Sequence, residues 1–409
     1  MPSPRVQTIH RRIPHITAMV IAVSSLILVG ASPVAAGVAT PNQILRTAPS
    51  SLTLTDLAAS GSKIAVAWTE DRSQGTVSFV RISPDGGQTF GARTRLGATL
   101  RTRESSLDVC KAGGSDPAWT LAAFAYQGAG DTWEVGAQDE AGAFFALGSG
   151  IVAPDVHDPD IACVGTIDAG TLAVSWLDQT TSPPHAFVHL ESFGSCGAPC
   201  ADPPIDSTYD LGAGKPYVGG PSVAASGREI HVTWLTGYRV ELKRFTIAED
   251  GMTVVEHATE TAFTVDNSNG LVQIAANGQT VAIVYENRFD ARVKVSENGG
   301  SSFAPYVVFV EGGVQGKARS YPRNPDVLGR RILVQGQSVF CSFGCGVQTF
   351  RSISNDGGHH WSTTTPNDPD GIELVAFFKT DTRGIAEAWD QNYVDVAHEK
   401  LRFHTVDLP

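Results

Sequence analysis

Methionine is scarce in this chain, with 3 residues in 409, and charged residues make up only 18% of it. Long stretches of helix formers are missing, which argues against a helical protein. Beyond residue 36 no apolar run is long enough to cross a bilayer, so no membrane span is expected in the remainder. Lysine and arginine (30) are outnumbered by aspartate and glutamate (42), giving a formal charge of −12. The first 36 residues hold Arg5, Arg11 and Arg12 and no acid, so the remainder carries −15. An acidic body of this kind excludes nucleic acid as an expected partner. There is no Gly-x-Ser-x-Gly elbow and no glycine loop ending in Lys-Ser/Thr, so serine-nucleophile and phosphate-cradling chemistries find no support.

What is abundant is glycine (42) and proline (23) within a sequence that is 42% apolar, a composition suited to many short strands joined by turns. At the N-terminus, Arg5, His10, Arg11 and Arg12 precede an apolar stretch from Ile16 to Gly30, and Val34-Ala-Ala36 supplies small residues for cleavage before Gly37. This is the pattern of a secretory signal over 1–36, with an uncleaved anchor as the alternative, and it predicts a secreted or cell-envelope protein. Six cysteines in an exported chain suggest disulfides. Cys196 with Cys200, and Cys341 with Cys345, are each close enough in sequence to close a small loop. A metal site on these two pairs is the alternative, without the accompanying histidines or cysteines of a zinc finger.

The mature stretch repeats. An acid-apolar-small motif opens a strand at Asp56, Asp108 and Asp160, and related openings stand at Ser222, Gln273, Asp326 and Glu373. Their separations are 52, 52, 62, 51, 53 and 47 residues. A second strand follows each, as in Ile64–Trp68, Leu172–Trp176, Ile230–Trp234 and Val281–Tyr285, and most end in an aromatic. A unit of about fifty residues read as four short strands is a propeller blade. The fold class expected is therefore all-β: 37–409 as a single propeller of four-stranded antiparallel blades, seven preferred and six the alternative. The segment Gln43–Arg46 is placed to add a strand to the last blade and close the ring. In this register Cys110 and Cys163 fall on opposite faces of neighbouring blades, where they could bridge or remain buried thiols.

Three turns share a frame: Ser83-Pro-Asp85-Gly-Gly87-Gln-Thr-Phe90, Ser296-Glu-Asn298-Gly-Gly300-Ser-Ser-Phe303 and Ser354-Asn-Asp356-Gly-Gly358-His-His-Trp361. Paired glycines permit positive φ, the short polar side chains can bond the turn backbone, and the aromatic is expected to pin each turn to its own sheet. On these turns the chain resembles the Asp-box, or bacterial neuraminidase repeat, proteins of the sialidase-like superfamily. The resemblance implies a structural role for the boxes. It also implies a ligand face built from the stretch before each inner strand and the turn after each second strand.

A sialidase of this superfamily needs three arginines to clamp a sugar carboxylate, a tyrosine nucleophile with a glutamate, and an acid/base aspartate. By location the resemblance points to Arg72, Arg288 and Arg323, with Tyr321, Glu286 and Asp71. The superfamily's Arg-Ile-Pro motif occurs here only as Arg12-Ile-Pro14, inside the signal region, which weighs against catalysis. The inner-strand carboxylates form a second candidate, as a cation or acid/base ring or as bonds to neighbouring backbone. The preferred reading is a monomer that binds a glycan or protein ligand without a cofactor, a structural calcium ion having no support. The alternative is an exo-α-sialidase or a related retaining glycosidase.

Overall fold

In a computed structural model, the alternating apolar runs fold as short antiparallel strands. The structure describes residues 43–48, 52–60, 62–72, 75–96, 105–109, 122–127, 132–138, 144–152, 156–166, 169–193, 205–215, 220–266, 271–287, 290–310, 317–341, 345–364, 371–378, 385–391 and 399–406. The expected signal segment and its cleavage point lie outside them. Among the described residues there are seven sheets and no helix. Six have four strands, and in the fourth the third strand Arg239–Ile247 pairs with both Val254–Glu256 and Glu260–Thr264.

The first strand of each sheet lies against the first strand of the next. Leu52–Ser60 neighbours Ser105–Val109, followed in turn by Val156–Thr166, Ser222–Ser226, Val272–Asn277, Lys317–Leu328 and Gly371–Phe378. The last of these returns to Leu52–Ser60 and closes the circuit. Strand Gln43–Ala48 pairs antiparallel with the C-terminal strand Glu399–Val406, so both ends of the described chain share the seventh sheet. The fold is a β-propeller.

Register slips recur at one place. In the first, third, sixth and seventh inner strands the ladder is interrupted just before Asp56, Asp160, Asp326 and Glu373. Pro159 and Pro325 fall inside two of these slips, where a missing N–H breaks no ladder bond. Two of the four slips thus carry a proline immediately before the acid.

The cores lie between sheets. One cluster joins Leu45, Leu401 and Phe403 of the seventh sheet to Leu57, Val66 and Trp68 of the first. Others join the third to the fourth sheet, the fourth to the fifth and the fifth to the sixth. The aromatic ending the second strand fills this space: Trp68 is fully buried, and Trp234 and Tyr285 nearly so. Each belongs to a cluster shared with the preceding sheet. Burying one such ring contributes roughly 1.5–3 kcal/mol.

The Ser-x-Asp/Asn-Gly-Gly turns connect the third strand to the outer strand of the first, fifth and sixth sheets. In the first, the Ser83 hydroxyl donates to Asp85 Oδ1 at 2.8 Å and accepts from Gly87 N at 2.8 Å. Asp85 also accepts from the N–H and hydroxyl of Thr89 at 2.8 and 2.6 Å. Ser296 with Asn298, and Ser354 with Asp356, repeat the serine and glycine bonds at 2.8–2.9 Å. Burial works against the Asp85 carboxylate, yet the Thr89 and Ser83 bonds hold its pKa below the ordinary value.

The turn aromatics reach past their own sheets as well as packing on them. Phe90 meets Phe403 of the preceding sheet edge-on at 4.9 Å, and Phe303 meets Phe263 of the fourth sheet at 6.1 Å. Trp361 packs against the cluster holding Val293 and Val295, and its Nε1 donates to Gly358 O at 2.9 Å. The second glycine of each turn explains the close fit. A Cβ on Gly87 would stand 2.5 Å from the Phe403 ring, and one on Gly358 2.7 Å from Val295. These turns therefore fasten each sheet to the one before it. Replacing Asp85 with alanine is expected to cost about 1–2 kcal/mol in thermal unfolding and to leave ligand affinity unchanged. Selective loss of binding at unchanged stability would contradict the structural role.

Candidate functional site

Two of the inner-strand carboxylates, Asp108 and Asp160, are spent on the neighbouring sheets. Asp108 Oδ2 accepts from Cys163 N of the third sheet at 2.9 Å. Asp160 Oδ2 accepts from the Ser222 hydroxyl at 2.7 Å and from Val223 N at 2.9 Å, both in the fourth sheet. The Ser222 hydroxyl accepts in turn from Ile274 N of the fifth sheet at 3.2 Å. Asp160 through its other oxygen, and Asp56 and Asp326 likewise through Oδ1, accept the following N–H at 2.8–3.0 Å. One carboxylate thus stabilises the kinked start of its own strand and the backbone of the next. Among the described residues, no three His, Cys, Asp or Glu side chains are grouped to hold a metal ion.

Cys163 is part of a disulfide. Its expected partner Cys110 lies outside the described residues, two positions beyond Asp108. Cys196 and Cys200 also lie outside them. Cys341 and Cys345 face each other as register partners across a hairpin, with side chains outside the description.

The residues singled out for a sialidase-like pocket are divided among three sheets. Asp71 and Arg72 end the second strand of the first sheet (Lys63–Arg72), and Glu286 lies in the second strand of the fifth (Thr280–Asn287). Tyr321 and Arg323 lie in the inner strand of the sixth, which packs against that strand of the fifth. Their side chains, and Arg288 altogether, lie outside the described residues. Asp71 accepts from the Thr76 hydroxyl across its own hairpin at 2.8 Å. Glu286 is 3% exposed. Arg72 donates to Glu70 Oε2 at 2.9 Å and its guanidinium lies 5.0 Å over the Phe79 ring. An anionic ligand at Arg72 would compete with both contacts.

Glu70 stands near the turn end of the strand Lys63–Arg72, yet its exposure is 1%. Trp68 and Glu70 are two apart on one strand and so point to the same face, into the space beside the seventh sheet. There Arg46 Nε donates to Oε1 at 2.7 Å, Arg93 Nη1 lies 3.2 Å from the same oxygen, and the Trp68 Nε1 donates at 3.2 Å. Burial pushes the carboxyl up, but Arg46, Arg72 and Trp68 together bring its pKa down to about 2. Arg46 belongs to the closing strand Gln43–Ala48. The same strand gives Gln43 Nε2 to Gly87 O at 2.6 Å and receives Arg81 Nη1 on Leu45 O at 2.8 Å. The group clasps the ring shut.

The end of the propeller that carries the turns after the second strands presents Tyr238, 62% exposed. Its turn is braced: Gly237 has φ of 57°, and Tyr238 O accepts from Val265 N at 2.8 Å. Beside it, Arg239 projects with its side chain 62% exposed, 3.7 Å from Glu241. Tyr306, the other exposed tyrosine among the described residues, carries Arg292 over its ring at 4.4 Å. An uncovered aromatic ring beside a guanidinium and a carboxylate offers stacking and hydrogen bonds to a polar ring.

No protein-family model matches the chain, and no curated protein matches it. Solved structures resemble its fold. The fucose-binding lectin of Aleuria aurantia, a six-bladed propeller, aligns at 8% identity and a TM-score of 0.45, over 79% of this chain and 96% of the lectin. The acylaminoacyl peptidase of Pyrococcus horikoshii aligns at 7% identity and 0.49, over 83% and 49%. A Hadza microbial sialidase, Hz136, aligns at 11% identity and 0.43, over 88% and 66%. At such identities the likeness concerns the fold.

Proposed function

We propose that the chain is an exported seven-bladed propeller of the sialidase-like kind that binds a glycan at the end carrying Tyr238. The observation that supports binding over catalysis is the state of the acids. Asp108, Asp160 and Asp71 hold backbone or hydroxyl donors, and Arg72 is held by Glu70, so these groups are committed to the scaffold. Tyr238 is open to solvent on a braced turn, which suits stacking on the apolar face of a sugar while Arg239 reaches its hydroxyls. Export rests on the N-terminal pattern over 1–36 and on the disulfide at Cys163. A monomer without cofactor or structural cation completes the reading.

One observation favours the rival exo-sialidase: Glu286 and the strand bearing Tyr321 and Arg323 belong to neighbouring sheets. Hydrolysis of a fluorogenic sialoside by residues 37–409 distinguishes the two, with Arg288→Ala and Tyr321→Phe measured alongside. The expected result is no turnover by any of the three proteins. Turnover that disappears in both variants would replace binding with catalysis.

A further inference from the structure

At the opposite ends of the third strands from the Tyr238 turn, two of the glycine-glycine turns border a cleft of about 330 Å³ between the fifth and sixth sheets. Its floor is apolar, with Val295, Val307 and the half-buried ring of Phe303. Its rim is polar, with Glu297, Asn298 and Ser302 from one turn and His359 from the other. The walls are preformed. Both turns are braced by the serine and Asp/Asn bonds described above, and their glycines have φ between 68° and 90°. Gly357 admits the rim carboxylate, since a Cβ there would stand 2.4 Å from Glu297 Oε1.

Charge in the cleft is balanced. Glu297 pairs with Arg330 Nη2 at 2.9 Å, and His359 Nε2 stands 3.5 Å from its other oxygen. Among the described residues no cation other than Arg330 and His359 borders the space, so a carboxylate or phosphate ligand would find no partner of its own there. A ligand that is neutral, has one apolar face and carries hydroxyls along its edge matches both surfaces. We infer that this cleft is a second ligand site, separate from the Tyr238 end, for a neutral pyranose ring. Its C–H face rests on Phe303 and Val307, and its hydroxyls bond to Glu297, Ser302 and His359. The volume is that of a small-molecule pocket.

The test is methyl NMR of the full-length protein labelled at valine, titrated with a panel of neutral methyl hexopyranosides. N-acetylneuraminic acid and butylamine serve as the charged comparisons. Saturable shifts of Val295 and Val307 with a neutral pyranoside are expected. They should vanish in Ala304→Phe, which fills the cleft from its rim. They should weaken about tenfold in Glu297→Ala, as for a lost hydrogen bond to a charged group. Tyr238→Ala should leave them unchanged, which separates this site from the proposed function. Valine signals elsewhere report whether each variant keeps its fold. Absence of shifts across the neutral panel would overturn the site, as would shifts that persist in Ala304→Phe. A response to the acid or the amine alone would overturn the assigned chemistry.

Discussion

Glu70→Ala is expected to lower the unfolding free energy by about 3–5 kcal/mol, because it leaves Arg46, Arg72 and Arg93 facing one another without their shared carboxylate. The loss should be felt first at the ring closure, since Arg46 lies on the strand Gln43–Ala48 that joins the two chain ends. The same residue gives the protein an acid limit. In the unfolded chain the carboxyl titrates near its ordinary 4.5, whereas in the fold it is held at about 2. A depressed carboxylate contributes stability that is complete above its unfolded value and is lost as pH falls through its folded value. The contribution is on the order of 3 kcal/mol and declines between about pH 5 and pH 2. Thermal melts of the wild type and Glu70→Ala across that range should therefore converge as the solution is acidified. A gap that stays constant down to about pH 2 would show that the fold does not depress this carboxyl's pKa.

The second large effect is expected at Asp160. Alanine there removes the acceptor for the Ser222 hydroxyl, Val223 N and Ile161 N, and the adjoining Val223 and Ile161 side chains are buried at 4% exposure. Buried donors left unsatisfied cost about 1–3 kcal/mol each, and partial relaxation brings the expected total to about 3 kcal/mol. Asp160→Asn keeps one carbonyl oxygen and should recover part of the loss. Hydrogen exchange locates the effect: the third and fourth inner strands should exchange faster in Asp160→Ala, with the first sheet unchanged. Uniform acceleration throughout the ring would contradict a local staple between two sheets.

Much of this architecture is written in short-range patterns. The seven openings at Asp56 to Glu373 stand at or within the seven inner strands, and the Gly-Gly turns fall where their glycines demand. Gln43–Arg46 also lies in the closing strand, as its position before the first repeat suggested. Other features depend on partners distant in the chain or on backbone. Glu70 carries no local signal of its role because its arginines Arg46 and Arg93 are 24 and 23 residues away. Only the two-residue phase with Trp68 marks it as inward-facing. The inner acids bond mainly to backbone N–H groups, of their own strand or of the next sheet, which carry no side-chain signature. The direction of Phe90, Phe303 and Trp361 toward the preceding sheet follows from how sheets stack, and no single hairpin encodes it. In the fourth sheet the outer strand is interrupted at 257–259, a break that the fifty-residue repeat did not announce.

Glycan binding through the end bearing Tyr238, with the inner acids serving the scaffold, is the function proposed. The most direct measurement is binding of residues 37–409 to a glycan array, with wild type and Tyr238→Ala compared at matched melting temperature. A defined set of glycans retained by the wild type is expected, with a loss of about two- to tenfold in Tyr238→Ala, the scale of one aromatic stacking contact. Glycan binding that Tyr238→Ala leaves intact, or none by the wild type, would contradict that function.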